Sequence, residues 1–571
     1  MPENQSIPGI SILRNGTEVS SELVYSVSIE FGVSTLPKAT ILINDGNRAQ
    51  QTFAESEKEE WQVGETVEIK VGYNQQFDLV FSGVIIKQGI GSSEDQNSKL
   101  YLELRHRYYL SSIKKTSRIF LEKKDSDAIE EIISEYGFAK EIDASEEVQR
   151  QLVQFNSSDW DFMNLRAEAN NMYIIPKNDT FILKSKISPE EEKVKLIFGT
   201  NISKFNLETD SRFSFETFST KTWNPSNQEI TESESSESPT STAGSVSASQ
   251  IAEKSKHGKD EINGLGSLSE IESTSISNRN KVNAELSKIR GTIKCVGNND
   301  TTIGDWIKIE GVGTQFSGKI LVTGILHELS AGRWYTTYQI GTNPEKYANQ
   351  FDDIIEKPAS GLLPGINGLQ IGIVAKLESD QDDDKVLVQL PNLKEGEDAV
   401  WARCARMEAG KDRGWVFRPE IGDEVILGFI NDDPRQSVIL GALHSSKNTS
   451  PIVAEDDNNH KGYTSRENLK LLFDDDKKII SILTPIATIE LDDDAKKITI
   501  KNETNSIEMS DDGITMETQK DFKLKATGDI ELEGMNVKLK ANAQFSAEGS
   551  AGTKVSSSAI TEIKGSLVNI N

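Results

Sequence analysis

Ile479-Ile-Ser-Ile-Leu-Thr-Pro-Ile-Ala-Thr-Ile-Glu-Leu-Asp-Asp-Asp-Ala-Lys-Lys-Ile-Thr-Ile-Lys-Asn502 is the stretch that decides the fold. Apolar residues stand two apart in it, as Ile480 with Ile482, Ile489 with Leu491, and Ile498 with Ile500. A side-chain period of two puts each pair on one face of a β-strand and leaves Ser, Glu and Thr on the other. The pattern continues with Ile507 and Met509, Ile514 and Met516, Phe522 and Leu524, Ile530 and Leu532, Val537 and Leu539, and Phe545 and Ala547. Leading residues are separated by 9, 9, 9, 7, 8, 8, 7 and 8 positions. A unit of about eight residues at ~3.3 Å each spans ~26 Å, too short and too thin to bury its own apolar stripe. Facing surfaces must come from the same chain winding as a solenoid or from other chains around a shared axis, and the period does not choose. Either way residues 466–571 are expected to form a narrow β rod with open strand edges only at its ends.

Upstream of the rod, residues 366–450 read as a compact β domain. Lys385-Val-Leu-Val-Gln-Leu-Pro391, Val400-Trp-Ala-Arg-Cys-Ala405 and Gly414-Trp-Val-Phe-Arg-Pro-Glu-Ile-Gly-Asp-Glu-Val-Ile-Leu-Gly428 are alternating strands. Asp433-Pro-Arg-Gln-Ser-Val-Ile-Leu-Gly-Ala-Leu443 adds another, and Pro419, Gly422 and Asn431 to Pro434 supply turns. A small Greek-key barrel is expected. Nearer the N-terminus, strands are predicted at Val24 to Phe31, Ala39 to Ile43, Thr66 to Tyr73, Leu79 to Ile86 and Leu100 to His106, with a turn at Asn44-Asp45-Gly46. Ile129, Ile132, Ile133 and Tyr136 share a helical face within Asp125 to Gly137, and a second helix is predicted over Ser158 to Asn171. Residues 225–290 are so rich in Ser, Glu, Thr and Asn that a long flexible linker, or an extended segment of the preceding domain, is expected there. The resulting plan is a β-barrel domain with a helical insertion over 1–224, that segment over 225–290, a second β portion over 291–357, then the small barrel and the rod.

Composition narrows the function. Lys and Arg number 63 against 90 Asp and Glu, a formal charge of −27, so a nucleic-acid backbone would be repelled. Two cysteines, Cys295 and Cys404, fall in separate predicted domains and fit a reducing compartment. The N-terminus, Met1-Pro-Glu-Asn-Gln-Ser, reads as no export signal, and no stretch reaches the ~18 apolar residues of a membrane span. Synthesis and folding in the cytoplasm are expected.

The stretch Gly372 to Leu443 resembles the oligonucleotide/oligosaccharide-binding (OB) domain of contractile-tail spike proteins, called VgrG in type VI secretion. Gln154-Phe-Asn-Ser-Ser-Asp-Trp-Asp-Phe-Met163 and Gly291-Thr-Ile-Lys-Cys-Val-Gly297 resemble the tail-hub portion of the same family. The resemblance implies a mainly β protein made of β-barrel hub domains with small α/β insertions, an OB barrel and an intertwined trimeric β-helix or β-prism. It implies a structural homotrimeric spike in a phage tail-like particle, with the inner tube or tube-initiator protein at the hub, baseplate proteins around it, and only transient meeting with a target membrane. Val80-Phe-Ser-Gly-Val-Ile-Ile resembles the extracellular injection particles, released by lysis, more than the type VI VgrG alternative. In such a trimer, Ile480, Ile482, Ile489, Leu491, Ile498, Ile500, Ile507, Met509, Phe522, Leu524, Ile530, Leu532, Val537 and Leu539 are the core candidates. Val555, Ile563, Val568 and Ile570 are candidates for holding a cap of the PAAR-repeat type, because no helix or polar domain follows them to cover the strand ends.

No catalytic, cofactor or metal site is expected. Asp380-Gln-Asp-Asp-Asp384 imitates a calcium loop but has Lys385 and Pro391 where Gly and Glu are needed, so a solvated hairpin tip is the expectation. Asp474 to Asp476 and Asp492 to Asp494 read as recurrent turns. His106, His257, His327, His444 and His460 show no paired-ligand spacing, and Gly549 to Lys554 lacks the glycine before lysine of a phosphate loop. The OB barrel lacks a basic, aromatic groove pattern in sequence. A competing reading, a β-helical polysaccharide-cleaving enzyme or tailspike, needs two carboxylates ~5 to 9 Å apart in a cleft. The acidic residues of the rod are instead spread over its turns, and an adhesin stalk would want a bulky terminal domain.

Overall fold

The computed structural model describes residues 7–94, 98–187, 191–237, 243–379, 381, 384–392 and 399–570. The chain divides into two units, Met1–Gly368 with Phe429–Gln436, and Leu369–Gly428 with Ser437–Asn571.

The first unit is organised by a thirteen-stranded sheet. Its organising strand is Val24–Gly32, which pairs with Thr35–Asn44 on one side and with Gly318–Ser330 on the other. That second pairing sets Ile29 opposite His327 and Val27 opposite Leu329, so the strand blocks at either end of this unit share one sheet. Local periodicity finds each strand but carries no signal for a partner three hundred residues away. Inward positions of these strands, including Ile29, Ile41, Ile69, Phe81 and Leu102, form a fully buried core. Asn44-Asp45-Gly46 is not a tight hairpin. The Asp45 carboxylate instead accepts the backbone N–H groups of Gly46, Glu55 and Ser56 and so folds a longer loop around itself.

Two helices sit on the strand pair Lys115–Lys124 and Val148–Ser158. Helix α1 (Asp125–Glu135) buries Ile129, Ile132 and Ile133, and Gly137 stops it with φ +70°. Helix α2 (Asp159–Ala169) starts where the Ser158 hydroxyl accepts the Asp161 N–H at 3.1 Å. Phe120, Trp160, Phe162 and Met163 complete their common core.

The expected flexible linker over 225–290 is folded. Strands Thr217–Asn224, Glu229–Glu234 and Lys259–Leu265 form a three-stranded sheet, accompanied by helices α3 (Ala248–Ser255) and α4 (Glu270–Ser287). The composition misled because a small apolar cluster of Phe218, Ala248 and Ala284 is joined by buried hydroxyl contacts: Ser277 Oγ lies 2.9 Å from Thr220 Oγ1 and donates to the Ser233 carbonyl. Arg166 then ties α2 to the Asp125 carboxylate of α1 and to Glu272 of α4. Small polar residues can be buried when each finds a partner, which a scale of mean polarity does not register. Residues 238–242 lie outside the described residues.

In the second unit, Gln370–Lys376, Lys385–Gln389, Ala399–Cys404, Ser437–Ala442 and Glu424–Phe429 close a five-stranded barrel in that order. Val374, Val386, Val388, Ala402, Val425 and Leu427 fill it. Asp380, Asp382 and Asp383 of the calcium-like motif lie outside the described residues, whereas Asp384 accepts hydrogen bonds from Arg406 and Arg418.

A seven-stranded antiparallel meander follows: His460–Thr464, Lys470–Asp474, Ile479–Leu483, Ala487–Asp492, Lys497–Asn502, Asn505–Ser510 and Gly513–Thr518. The acidic triplets are its turns, with Asp474 Oδ1 accepting the Lys477 N–H and Asp492 Oδ1 the Ala495 N–H. The rod expected from Phe522 onward is not formed within one chain. Residues 519–570 carry no assigned strand and are exposed throughout. A strand is defined by a hydrogen-bonded neighbour, and the β rod expected from the period has none over this stretch to pair with.

Candidate assembly face

The meander registers its apolar residues into two continuous columns on one face. Leu471 stands opposite Ile482, Ile482 opposite Ile489, Ile489 opposite Ile500, Ile500 opposite Ile507, and Ile507 opposite Met516. Beside them run Phe473, Ile480, Leu491, Ile498, Met509 and Ile514, each opposite the next. Cross-strand pairing of this kind places neighbouring Cβ atoms about 5 Å apart, so the columns form a gapless apolar ladder.

Ten of these twelve side chains are between 38% and 66% exposed, the partly buried exceptions being Ile507 and Met509. The opposite face is mostly polar beyond Leu472, Ile479 and Leu483, with Ser481, Glu490, Thr499, Glu508 and Thr515 in register, and Ser481 and Thr499 are only 9% and 6% exposed. Short hydroxyl side chains are shaded there by longer neighbours, including the Lys497 to Glu508 ion pair at 2.9 Å. The two apolar columns are therefore left open while parts of the mostly polar side are covered.

Of the residues singled out in the sequence, Ile480, Ile482, Ile489, Leu491, Ile498, Ile500, Ile507 and Met509 are thus gathered on one surface. Phe522, Leu524, Ile530, Leu532, Val537 and Leu539 are exposed on the unpaired stretch and are not brought together, and neither are Val555, Ile563, Val568 and Ile570. Sequence reading missed Leu471 and Phe473 as the first rung of the ladder. Their signal is the same two-residue spacing, but it lies one turn before the regular repeat begins.

Titratable groups in the first unit are held for structural ends. His106 Nδ1 accepts the Tyr108 N–H and its Nε2 lies 2.9 Å from the Asn178 carbonyl. His327 Nδ1 lies 3.1 Å from Thr336 Oγ1 and accepts the Trp334 indole N–H at 3.4 Å. Burial lowers both pKa values to about 4, so both rings are neutral at physiological pH. Cys295 is a buried free thiol whose pKa desolvation raises to about 12, and Cys404 is a second free thiol.

Residues 4–331 match the family described as "Alg8 N-terminal domain", and residues 370–444 match "Type VI secretion system/phage-baseplate injector OB domain". The chain is similar to the type VI secretion system spike protein VgrG3 of Vibrio cholerae serotype O1, 38% identical over 58 residues, which are 10% of this chain and 6% of that protein. It is also similar to the type VI secretion system spike protein VgrG2a of Pseudomonas aeruginosa, 30% identical over 113 residues, 18% of this chain and 13% of that one. These segments are a small part of either relative. Among solved structures, the 43 kDa tail protein of prophage MuSo2 from Shewanella oneidensis aligns with a TM-score of 0.46 and 10% identity, covering 59% of this chain and 98% of that chain.

Proposed function

The chain belongs to the family of the Alg8 N-terminal domain, which matches residues 4–331, and from that premise we infer that it is the structural spike of a contractile injection system. It works as a homotrimer whose first unit forms the hub on the inner tube or tube-initiator protein, among baseplate proteins, and whose rod points toward the target membrane. The injector OB match over residues 370–444 and the local likeness to VgrG spike proteins support this reading. The extracellular particle is favoured over the type VI alternative by the hub phrase Val80-Phe-Ser-Gly-Val-Ile-Ile.

The observation that carries the trimer is the open ladder. Covering the ten exposed apolar side chains of the ladder at about 1 kcal/mol each yields on the order of 10 kcal/mol per chain. That is comparable to or larger than the freedom lost on association. The stretch 519–570 adds a length of water-exposed backbone outside any strand, whose N–H and C=O groups neighbouring strands would pair. Copies of the same chain meet both needs, since each brings an identical apolar face. The trimer core then comprises the fourteen residues from Ile480 to Leu539 named from the sequence, with Leu471 and Phe473 added at its start and Ile514 and Met516 within it. Val555, Ile563, Val568 and Ile570 are left to receive a PAAR-like tip protein.

Native mass spectrometry of the full chain tests the assembly, with a three-chain species expected at micromolar concentration. A persistent monomer would overturn the spike reading in favour of a single-chain solenoid. Tip docking is tested separately with a purified PAAR-repeat protein, whose binding should be lost on removal of residues 555–570.

A further inference from the structure

The ladder that joins copies of this chain, on the reading above, has a weakness: it repeats. Ile482, Ile489, Ile500 and Ile507 are nearly interchangeable in shape, as are Ile480, Leu491 and Ile498 in the other column. A copy displaced along the rod by one strand, about 4.8 Å, still sets apolar residue against apolar residue and forfeits only one rung. Repetitive, mutually similar strands specify register weakly unless something outside the repeat marks a position.

The barrel end of the ladder carries such a mark. Tyr463 stands opposite Leu471, and therefore heads the column that continues through Ile482 and Ile489. Its ring centroid lies 4.9 Å from that of Phe417, which stacks in turn on Trp415 at 5.7 Å. All three are about half exposed, at 49%, 53% and 50%. The sequence of the barrel alone does not show this row, because Tyr463 belongs to the first strand of the meander. Its supports are fixed: Arg406 and Arg418 both grip Asp384, the Trp415 N–H donates to the Glu408 carbonyl at 3.0 Å, and Arg466 donates to Glu420 at 3.0 Å.

We propose that the aromatic row Trp415, Phe417 and Tyr463 sets the axial register of the assembly, by packing against the same region of a second copy of this chain. The row is continuous with the ladder, has the apolar face that the ladder needs at its end, and occurs once, so only the unslipped alignment buries it. The alternative occupant of an aromatic row on an OB barrel is single-stranded nucleic acid, which needs free cations beside the rings. Here Arg406 and Arg418 are engaged by Asp384, Arg413 by Glu408 and Arg466 by Glu420, in a chain of net charge −27. A second copy is the better fit.

The experiment uses the full chain with Cys404→Ser and a spin label at Lys501→Cys, an exposed position on the meander. Pulsed electron resonance of this protein should give one narrow inter-label distance. In Trp415→Ser/Phe417→Ser the trimer should persist while the distances split into several populations about one strand spacing apart. Phe417→Leu, which keeps apolar area but loses the ring, should show an intermediate spread, and because these side chains are exposed the barrel should melt as in the parent. A monomeric parent chain would defeat the assembly reading itself. A trimeric double variant with the parent's single distance, or a double variant that no longer assembles at all, would overturn the register role alone. Quenching of tryptophan emission by an oligothymidylate at low salt, lost in the double variant, would overturn it in favour of a stacking platform for nucleic acid.

Discussion

The thirteen-stranded sheet and the meander are built from the same residues by the same alternation, yet they end in opposite states. In the first, Ile29, Ile41 and Ile69 are sealed from water by strands drawn from both ends of a long segment. In the second, Ile480, Ile489 and Ile500 are in perfect register and remain open. The difference is not propensity or turn chemistry, which are sound in both. A sheet that folds back on itself completes its core within one chain, whereas a meander of seven short strands offers only one layer, and one layer cannot bury a face. Stability of the hub is therefore a property of the chain, and stability of the rod should be a property of the assembly.

That contrast can be broken most directly by removing the rod. Deletion of residues 466–571 should leave the melting of the hub within a few degrees of the parent while abolishing the three-chain species in native mass spectra. Equal trimer content in the two proteins would place the assembly energy in the hub instead. Single charges come next. In the proposed trimer Ile489→Asp would set one carboxylate per chain against the shared axis and should weaken association by several kcal/mol, with little change in the fold of the monomer because the site is already open. Glu490→Gln, one residue away on the polar face, should be nearly silent. In the hub the order is reversed: Ile69→Ala removes a fully buried side chain and should cost about 2–5 kcal/mol of monomer stability by denaturant titration.

What the sequence disclosed follows from the same contrast. Strands, both hub helices, the barrel and the ladder residues were legible because each rests on a local period or a cap: Ile129, Ile132 and Ile133 for α1, Ser158 for α2, the Asp492 turn for the meander. Two features were not. The fold of 225–290 hides behind Ser and Thr, which look disordered until Ser277 is seen bonded to Thr220 and Ser233. The joining of Val24–Gly32 to Gly318–Ser330 is a long-range pairing with no local trace. For residues 519–570 the period is plain but the neighbour is missing, and a pattern cannot supply a partner that one chain does not contain.

Acid should separate the two regions further. His106 and His327 have folded pKa values lowered by burial to about 4 from 6.5, so as pH falls below 6.5 the unfolded chain takes up protons that the folded hub refuses. Their contribution to hub stability is complete above pH 6.5, declines between about 6.5 and 4, and declines no further below that. Melting of the rodless protein at pH 7, 5.5 and 4.5 should show the decline, and His327→Gln should make it shallower whatever it does to the midpoint. An unchanged slope in that variant would mean that the ring is not held neutral as its bonds to Trp334 and Thr336 imply.

The smallest effects give the finest division between chain and assembly. Ser158→Ala removes the hydroxyl that accepts the Asp161 N–H at the start of α2, and Asp492→Ala removes the carboxylate that accepts the Ala495 N–H in a meander turn at 2.8 Å. Each loss is a local hydrogen bond worth about 1 kcal/mol. They should register in different places. Ser158 lies in the hub core, so its loss should lower the melting midpoint of the rodless protein by a few degrees. Asp492 is in a turn of a layer that a single chain leaves unfinished, so Asp492→Ala should be nearly invisible in a diluted monomer. In the proposed trimer the same loss would be made three times within one cooperative unit, and it should accelerate dissociation by at least several-fold in subunit-exchange measurements. If Asp492→Ala instead destabilises the monomer as much as Ser158→Ala does, the meander is already cooperative within one chain, and the division between a hub that folds alone and a rod completed by its copies would have to be drawn further toward the tip.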